Sequence, residues 1–146
     1  MSRIKIHLPE EFHFSTEISI RITDLNYGGH VGNDTVFSLL HESRMRFLQH
    51  QGLSELEFED ASLIMADAGV EFKSEIFYGD VVKAFVAAGD FSKIGFSVYY
   101  KLIKIPGDSI VTIAKTGMIC YDYNKKKIVA VPDKARAKLI SATRGQ

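Results

Sequence analysis

Net charge is the first thing this chain lacks. Its 146 residues hold 18 lysines and arginines against 18 aspartates and glutamates, so no whole-protein field draws it toward nucleic acid or a membrane surface. Cysteine is almost missing. Cys120 stands alone, which excludes an internal disulfide and fits a reducing compartment. Its apolar setting, Met118-Ile119-Cys120-Tyr121, reads as that of a buried structural thiol rather than a nucleophile. Long apolar runs are missing too: none approaches the roughly 18 residues of a membrane span, and Met1-Ser2-Arg3-Ile4-Lys5 leads into no signal-peptide core. The expectation is a soluble, cytoplasmic protein with no nucleic-acid and no membrane partner.

Absent motifs exclude several chemistries. His41-Glu42 is followed by Met45 where a zincin needs histidine. No G-x-S-x-G elbow, P-loop or dinucleotide fingerprint occurs. Five scattered histidines and one cysteine make a poor metal site. Neither a metal nor an organic cofactor is expected.

What is present reads as one ordinary domain over residues 1–146, with 46% hydrophobic and 25% charged residues. The charge is unevenly placed. Glu55, Glu57, Glu59 and Asp60 form an acidic run, whereas Lys125 to Arg144 is basic with Asp133 as its one acid. Both read as solvated surface; the functional alternative is that part of the basic tail meets substrate phosphates.

Phe12, Phe14, Thr16, Ile18, Ile20 and Ile22 alternate with polar residues and predict a half-buried strand. The glycines and Asx residues of Asp24 to Asp34 then predict a loop with unusual backbone angles, in which Asn33 or Asp34 caps a helix. That helix runs from about Asp34 to about Gln51, with Gly52 as its stop. Val36, Phe37, Leu40, Phe47 and Leu48 share its apolar face and Leu39 widens it. Glu42 and Arg46 lie opposite, spaced for an exposed ion pair, while Arg44 falls on the apolar side and needs a partner.

Strands follow at about Ser62–Phe77, Asp80–Asp90, Ile94–Ile105 and Ser109–Tyr123, with a short one at Ile128–Val131. Turn chemistry at Tyr78-Gly79-Asp80, Gly89-Asp90 and Pro106-Gly107-Asp108 separates them. The tail from Pro132 to about Ala142 suits a short helix with proline in its first turn. One strand, one long helix and a run of antiparallel strands make an α+β fold, in which a curved antiparallel sheet of five to six strands wraps a central helix.

Asp24-Leu25-Asn26-Tyr27-Gly28-Gly29-His30-Val31-Gly32-Asn33, followed by His41-Glu42-Ser43-Arg44 on the helix, resembles the hot-dog thioesterases. The likeness is to the 4-hydroxybenzoyl-CoA thioesterase-like branch, with its D-x-D-x-x-G-H-V-N-N loop and E-x-x-R-like helix signature. Tyr78-Gly79-Asp80 and the stretch from Ile128 to Pro132 are similar to its later turn and closing strand. The resemblance runs from about residue 13 to 135 and departs from the pattern at two positions. The family's catalytic acid falls on Asn26, and its helix glutamate on His41. Asp24-Leu25-Asn26 is also similar to the D-x-N of plant acyl-carrier-protein thioesterases, although the spacing to histidine differs by two.

The resemblance implies an acyl-CoA or acyl-carrier-protein thioesterase, with coenzyme A present only as part of the substrate. It also implies a homodimer or dimer of dimers joined edge to edge, with each site at a subunit seam. Thioester hydrolysis needs an activated water or a carboxylate nucleophile, and donors for the oxyanion. The expected catalytic residues are Asp24 as base, Asn26 orienting water or carbonyl, His30 assisting, and the helix amide near Asn33 as oxyanion donor. Gly28, Gly29 and Gly32 would let substrate approach the main chain. Glu71 and Glu75 lie on the next strand, where related enzymes lacking the loop acid place a catalytic carboxylate from the partner subunit on a neighbouring element. Glu71 is the preferred one of the two, and Lys93 is a candidate for the substrate's phosphates. The structural alternative makes Asp24 and Asn26 Asx-turn residues and seats His30 at the dimer seam. Because Asn26 replaces the family's acid, a non-hydrolytic acyl-thioester binder stands as the second reading. A purely structural partner subunit stands as a third.

Overall fold

A computed structural model describes residues 1–145. Strand β1 (Phe14–Ser19) leads through a 3-10 turn at Ile22–Asp24 and a glycine-rich loop into helix α1 (Asn33–His50). The strands β2 (Ser62–Phe72), β3 (Val81–Gly89), β4 (Gly95–Ile105) and β5 (Ile110–Asp122) follow. The short β6 (Lys127–Ile128) and helix α2 (Asp133–Arg144) close the chain. The sheet has the order β1-β3-β4-β5-β2, with β6 paired to β5 and every pairing antiparallel.

Alternation within the strands places the core. Phe96, Val98, Tyr100 and Leu102 of β4 are buried on the face that receives α1. From α1 the buried apolar residues are Val36, Leu39, Leu40, Phe47 and Leu48. Full burial of Phe47 and Leu48 stabilises by about 1.5–3 kcal/mol each. Helix α2 packs on β3, and Thr143 clips it there by accepting from the Ala88 N–H and donating to the Ala88 carbonyl.

Several boundaries and faces differ from expectation. Strand β1 ends at Ser19, and the 3-10 turn swings Ile22 into solvent at 65% exposure. Phe37, expected on the apolar face, stands 43% exposed on the flank of α1. Strand β2 stops at Phe72 rather than Phe77, so residues 73–77 form a connection instead of a strand end. Pro132 sits at the N-cap of α2, one residue outside the helix. At the other end of α1, Gly52 has a φ of 74°, the left-handed stop that glycine permits.

Arg44 finds its partner. Its Nε donates to Glu55 Oε1 at 2.7 Å and its Nη1 to the Tyr100 hydroxyl at 2.9 Å. Tyr100 in turn shares a 2.7 Å hydrogen bond with Thr116. Burial opposes the Arg44 charge, and the Tyr100 and Glu55 oxygens outweigh it, so the guanidinium pKa rises. His41 reaches the same Glu55 oxygen at 3.5 Å. Glu42 and Arg46 form the expected exposed pair at 2.7 Å.

Candidate active site

The loop before α1 folds back on itself. Leu25 and Val31 form an isolated bridge, and the Asn26 N–H donates to the His30 carbonyl at 2.9 Å. Asn26 Oδ1 accepts the Gly28 N–H at 2.8 Å, an Asx turn that holds the loop tip. Gly29 has a φ of 81°, which a side chain would strain. A Cβ on Gly32 would lie 2.7 Å from Asp34 Oδ1, so the helix entrance is kept narrow by side chains and open by glycine. The Val31 N–H donates to the Ile76 carbonyl at 2.8 Å and ties the loop to the β2–β3 connection.

That tie creates a cleft of about 250 Å³ at the N-terminus of α1. Its wall on the loop and helix side is His30, Val31, Asn33 and Val36. Its other wall is Phe72, Lys73, Ser74, Glu75 and Ile76, with buried Thr112 of β5 as floor. Gly32 caps α1 without a side-chain hydrogen bond. Among the described residues, the N–H groups of Asn33, Asp34 and Thr35 meet no acceptor, the first paired amide being Val36 on the Gly32 carbonyl. Free amides at a helix N-terminus carry partial positive charge and suit a carbonyl oxygen that is gaining electrons.

His30 is oriented by the backbone of the next residue. Its Nδ1 lies 3.2 Å from the Val31 carbonyl. A carbonyl can only accept, so Nδ1 is the donor in this contact, and in the neutral ring Nε2 then carries the lone pair. Two of the sequence-derived residues, His30 and Asn33, therefore meet at one cleft, and Gly32 lies between them in the chain.

The other residues fall elsewhere. Asp24 is buried and closes the 3-10 turn, where its Oδ2 accepts the Arg21 N–H at 2.8 Å and its Oδ1 faces the Arg21 guanidinium at 3.6 Å. It lines a separate hollow with Ser38, Glu42 and Arg46 on the opposite flank of α1. Asn26 and Gly28 belong to the exposed loop tip. Glu71 pairs with Ile113 one step out of phase with the buried Tyr100–Ala114–Val70 row, and so faces away from α1. There it accepts from the Ile6 N–H at 2.9 Å and from Lys73 at 3.1 Å. The Ile6 N–H and the Lys73 ammonium hold its carboxyl below the usual range. Lys93 lies in the β3–β4 turn, beside the Cys120 end of β5, whereas Thr112 of the cleft is at the other end of that strand. The carboxylate that does reach the cleft is Glu75, which the early end of β2 places in the connection.

Comparison with known proteins gives the same architecture. The family model described as the thioesterase-like superfamily matches residues 20–139. No curated protein sequence matches the chain. The chain resembles the 1,4-dihydroxy-2-naphthoyl-CoA thioesterase of Synechocystis with a TM-score of 0.79 at 18% identity, over 87% of this chain and 95% of that one. It resembles the DHNA-CoA thioesterase of Staphylococcus aureus with a TM-score of 0.77 at 20% identity, over 90% and 94%. The hypothetical protein SAV2348 of Staphylococcus aureus, solved in complex with CoA, gives a TM-score of 0.82 at 15% identity, over 97% and 90%. At these identities the structural likeness establishes the fold, and the family match carries the rest: the chain belongs to the thioesterase-like superfamily and has its hot-dog fold.

Proposed function

We propose that the chain hydrolyses an acyl-CoA thioester in the cleft at the N-terminus of α1. The observation that carries this reading is the convergence of His30, Asn33 and Glu75 on one cleft beside unpaired helix amides. The thioester carbonyl oxygen points at the helix N-terminus, where Asn33, whose N–H is unpaired among the described residues, lines the cleft. His30 Nε2, in a cleft that Glu75 also lines, takes a proton from water as the water oxygen attacks the carbonyl carbon. The tetrahedral oxyanion is held by the amides. Its collapse breaks the carbon–sulfur bond, and the imidazolium returns the proton to the leaving thiolate.

Self-association is part of the reading. Strand β2 lies at the sheet edge and is 11 residues long. Met65 and Phe72 face the α1 side, opposite the buried Met118 and Thr112, yet are 45% and 46% exposed. A long strand edge with uncovered apolar residues on its inner face suits pairing with a second copy. The cleft shares Phe72 with that edge, which would set the site at a subunit seam.

The test is free-thiol release from short, long and aromatic acyl-CoAs by the wild type and Glu75→Gln. Turnover that falls about a hundredfold in the variant, the order of a lost proton-transfer or water-positioning group, supports the reading. CoA-ester binding without turnover would favour the non-hydrolytic binder. Asn26 at the family's acid position, its Oδ1 spent on Gly28, is the observation behind that alternative. Gain of turnover in Asn26→Asp would then identify the missing acid.

A further inference from the structure

We propose that the N-terminal arm is a phosphate-binding strap, with Arg3 and Lys5, joined by Lys73, taking the nucleotide phosphates of a CoA thioester. The inference rests on the reading of the neighbouring cleft as the thioester site.

The arm is neither helix nor strand, yet it is fastened down. The Ile6 N–H binds Glu71 at 2.9 Å, and Ile4 and Ile6 lie across Gly69, each 3.8 Å from where a Cβ would stand. Fastening it leaves two adjoining hollows of about 420 and 430 Å³. Arg3, Lys5, Lys73 and Glu71 line the second, and Arg3 joins Phe72 and Lys73 in the first. Phe72 and Lys73 also form a wall of the cleft. A ligand leaving the cleft past these two exposed residues therefore meets the basic hollow next.

The charge count favours an anion. Glu71 is the one carboxylate in the wall, and it is already matched by Lys73 and the Ile6 N–H. Arg3 and Lys5 are exposed and form no ion pair among the described residues. In a chain with zero net charge, this local surplus of positive charge calls for a local partner. Arginine and lysine bind phosphate through charge-assisted hydrogen bonds, and the arginine fork can engage two oxygens at once. Neither Lys93, at the far end of the sheet, nor any residue of the basic tail lines the cleft or the two hollows beside it.

The experiment compares one acyl group carried on coenzyme A and on pantetheine, which has the same thioester and no phosphate. For Arg3→Ala/Lys5→Ala the KM for acyl-CoA should rise about tenfold at unchanged kcat, the order of 1.4 kcal/mol of lost ground-state binding. Turnover of acyl-pantetheine should stay at the wild-type level. Added salt should raise the wild-type KM for acyl-CoA and have less effect on the variant. Arg3→Glu/Lys5→Glu should enlarge the loss. An unchanged KM for acyl-CoA, or an equal change for both substrates, overturns the proposal. So does a loss confined to an acyl-carrier-protein substrate. If the wild type hydrolyses neither thioester, the cleft reading has failed, and calorimetric titration with free coenzyme A decides the strap alone. Affinity lower by about tenfold in the double alanine variant supports it, and equal affinity or no binding overturns it.

Discussion

Helix α1 holds two polar regions, one buried around Arg44 and one open to solvent at Asn33 and Asp34, and they are built in opposite ways. Around Arg44 no fully buried side-chain nitrogen or oxygen among the described residues lacks a partner: Glu55 takes Nε, Tyr100 takes Nη1, and Thr116 closes the chain of bonds. At the N-terminus of the same helix three amides have none among the described residues, and glycine stands where a capping side chain would be expected. Buried polar groups normally find partners because leaving them bare costs about 1–3 kcal/mol each. The closed network belongs to folding. The open end has room beside it, and the groups lining that room are His30 and Glu75.

The contrast can be broken from the closed side first. Glu55→Ala leaves the Arg44 charge buried without its carboxylate, and should cost about 3 kcal/mol in denaturant unfolding at unchanged kcat per folded molecule. Replacing both partners, as Arg44→Met with Glu55→Leu, should recover most of that loss. A next effect comes from pH. Burial pushes the Cys120 thiol up to about 11, against the influence of Arg136. A raised thiol pKa means the native state holds its proton more tightly than the unfolded chain. This contribution is whole below pH 9 and is lost as the pH rises toward 11, by up to about 2 kcal/mol. Equilibrium unfolding of Cys120→Ala should lack that part of the decline. Tyr100→Phe, which removes an acceptor from Arg44 and a partner from Thr116, should cost about 1–2 kcal/mol. Smallest is Glu42→Ala at the exposed pair with Arg46, where about 0.5 kcal/mol is expected.

The sequence showed the closed region more readily than the open one. Arg44 on an apolar stripe announced a need for a partner, because helical spacing alone fixes which face a residue takes. Gly52 and the turn at Tyr78-Gly79-Asp80 marked element ends, because only glycine adopts their positive φ cheaply. The family resemblance pointed to the loop and helix entrance, and His30, Val31 and Asn33 of that stretch line the cleft. Which carboxylate reaches the cleft was not legible. Glu71 and Glu75 are four apart in an apparently continuous strand, and the choice depends on β2 ending at Phe72 and on its register with β5. Phe37 misled because a helical wheel cannot tell which flank the sheet leaves bare. Asp24 drew attention through its motif, whereas its oxygens are taken up by Arg21.

The most direct measurement pairs His30 with Asp24. His30→Ala and Asp24→Asn are compared in a thiol-release assay with a turned-over acyl-CoA, and thermal unfolding is followed for both. The account predicts that His30→Ala lowers kcat about a hundredfold at an unchanged melting temperature. Asp24→Asn should keep wild-type turnover and unfold earlier. The reverse pattern, with Asp24→Asn inactive and His30→Ala fully active, would contradict it and move the chemistry to the other flank of α1.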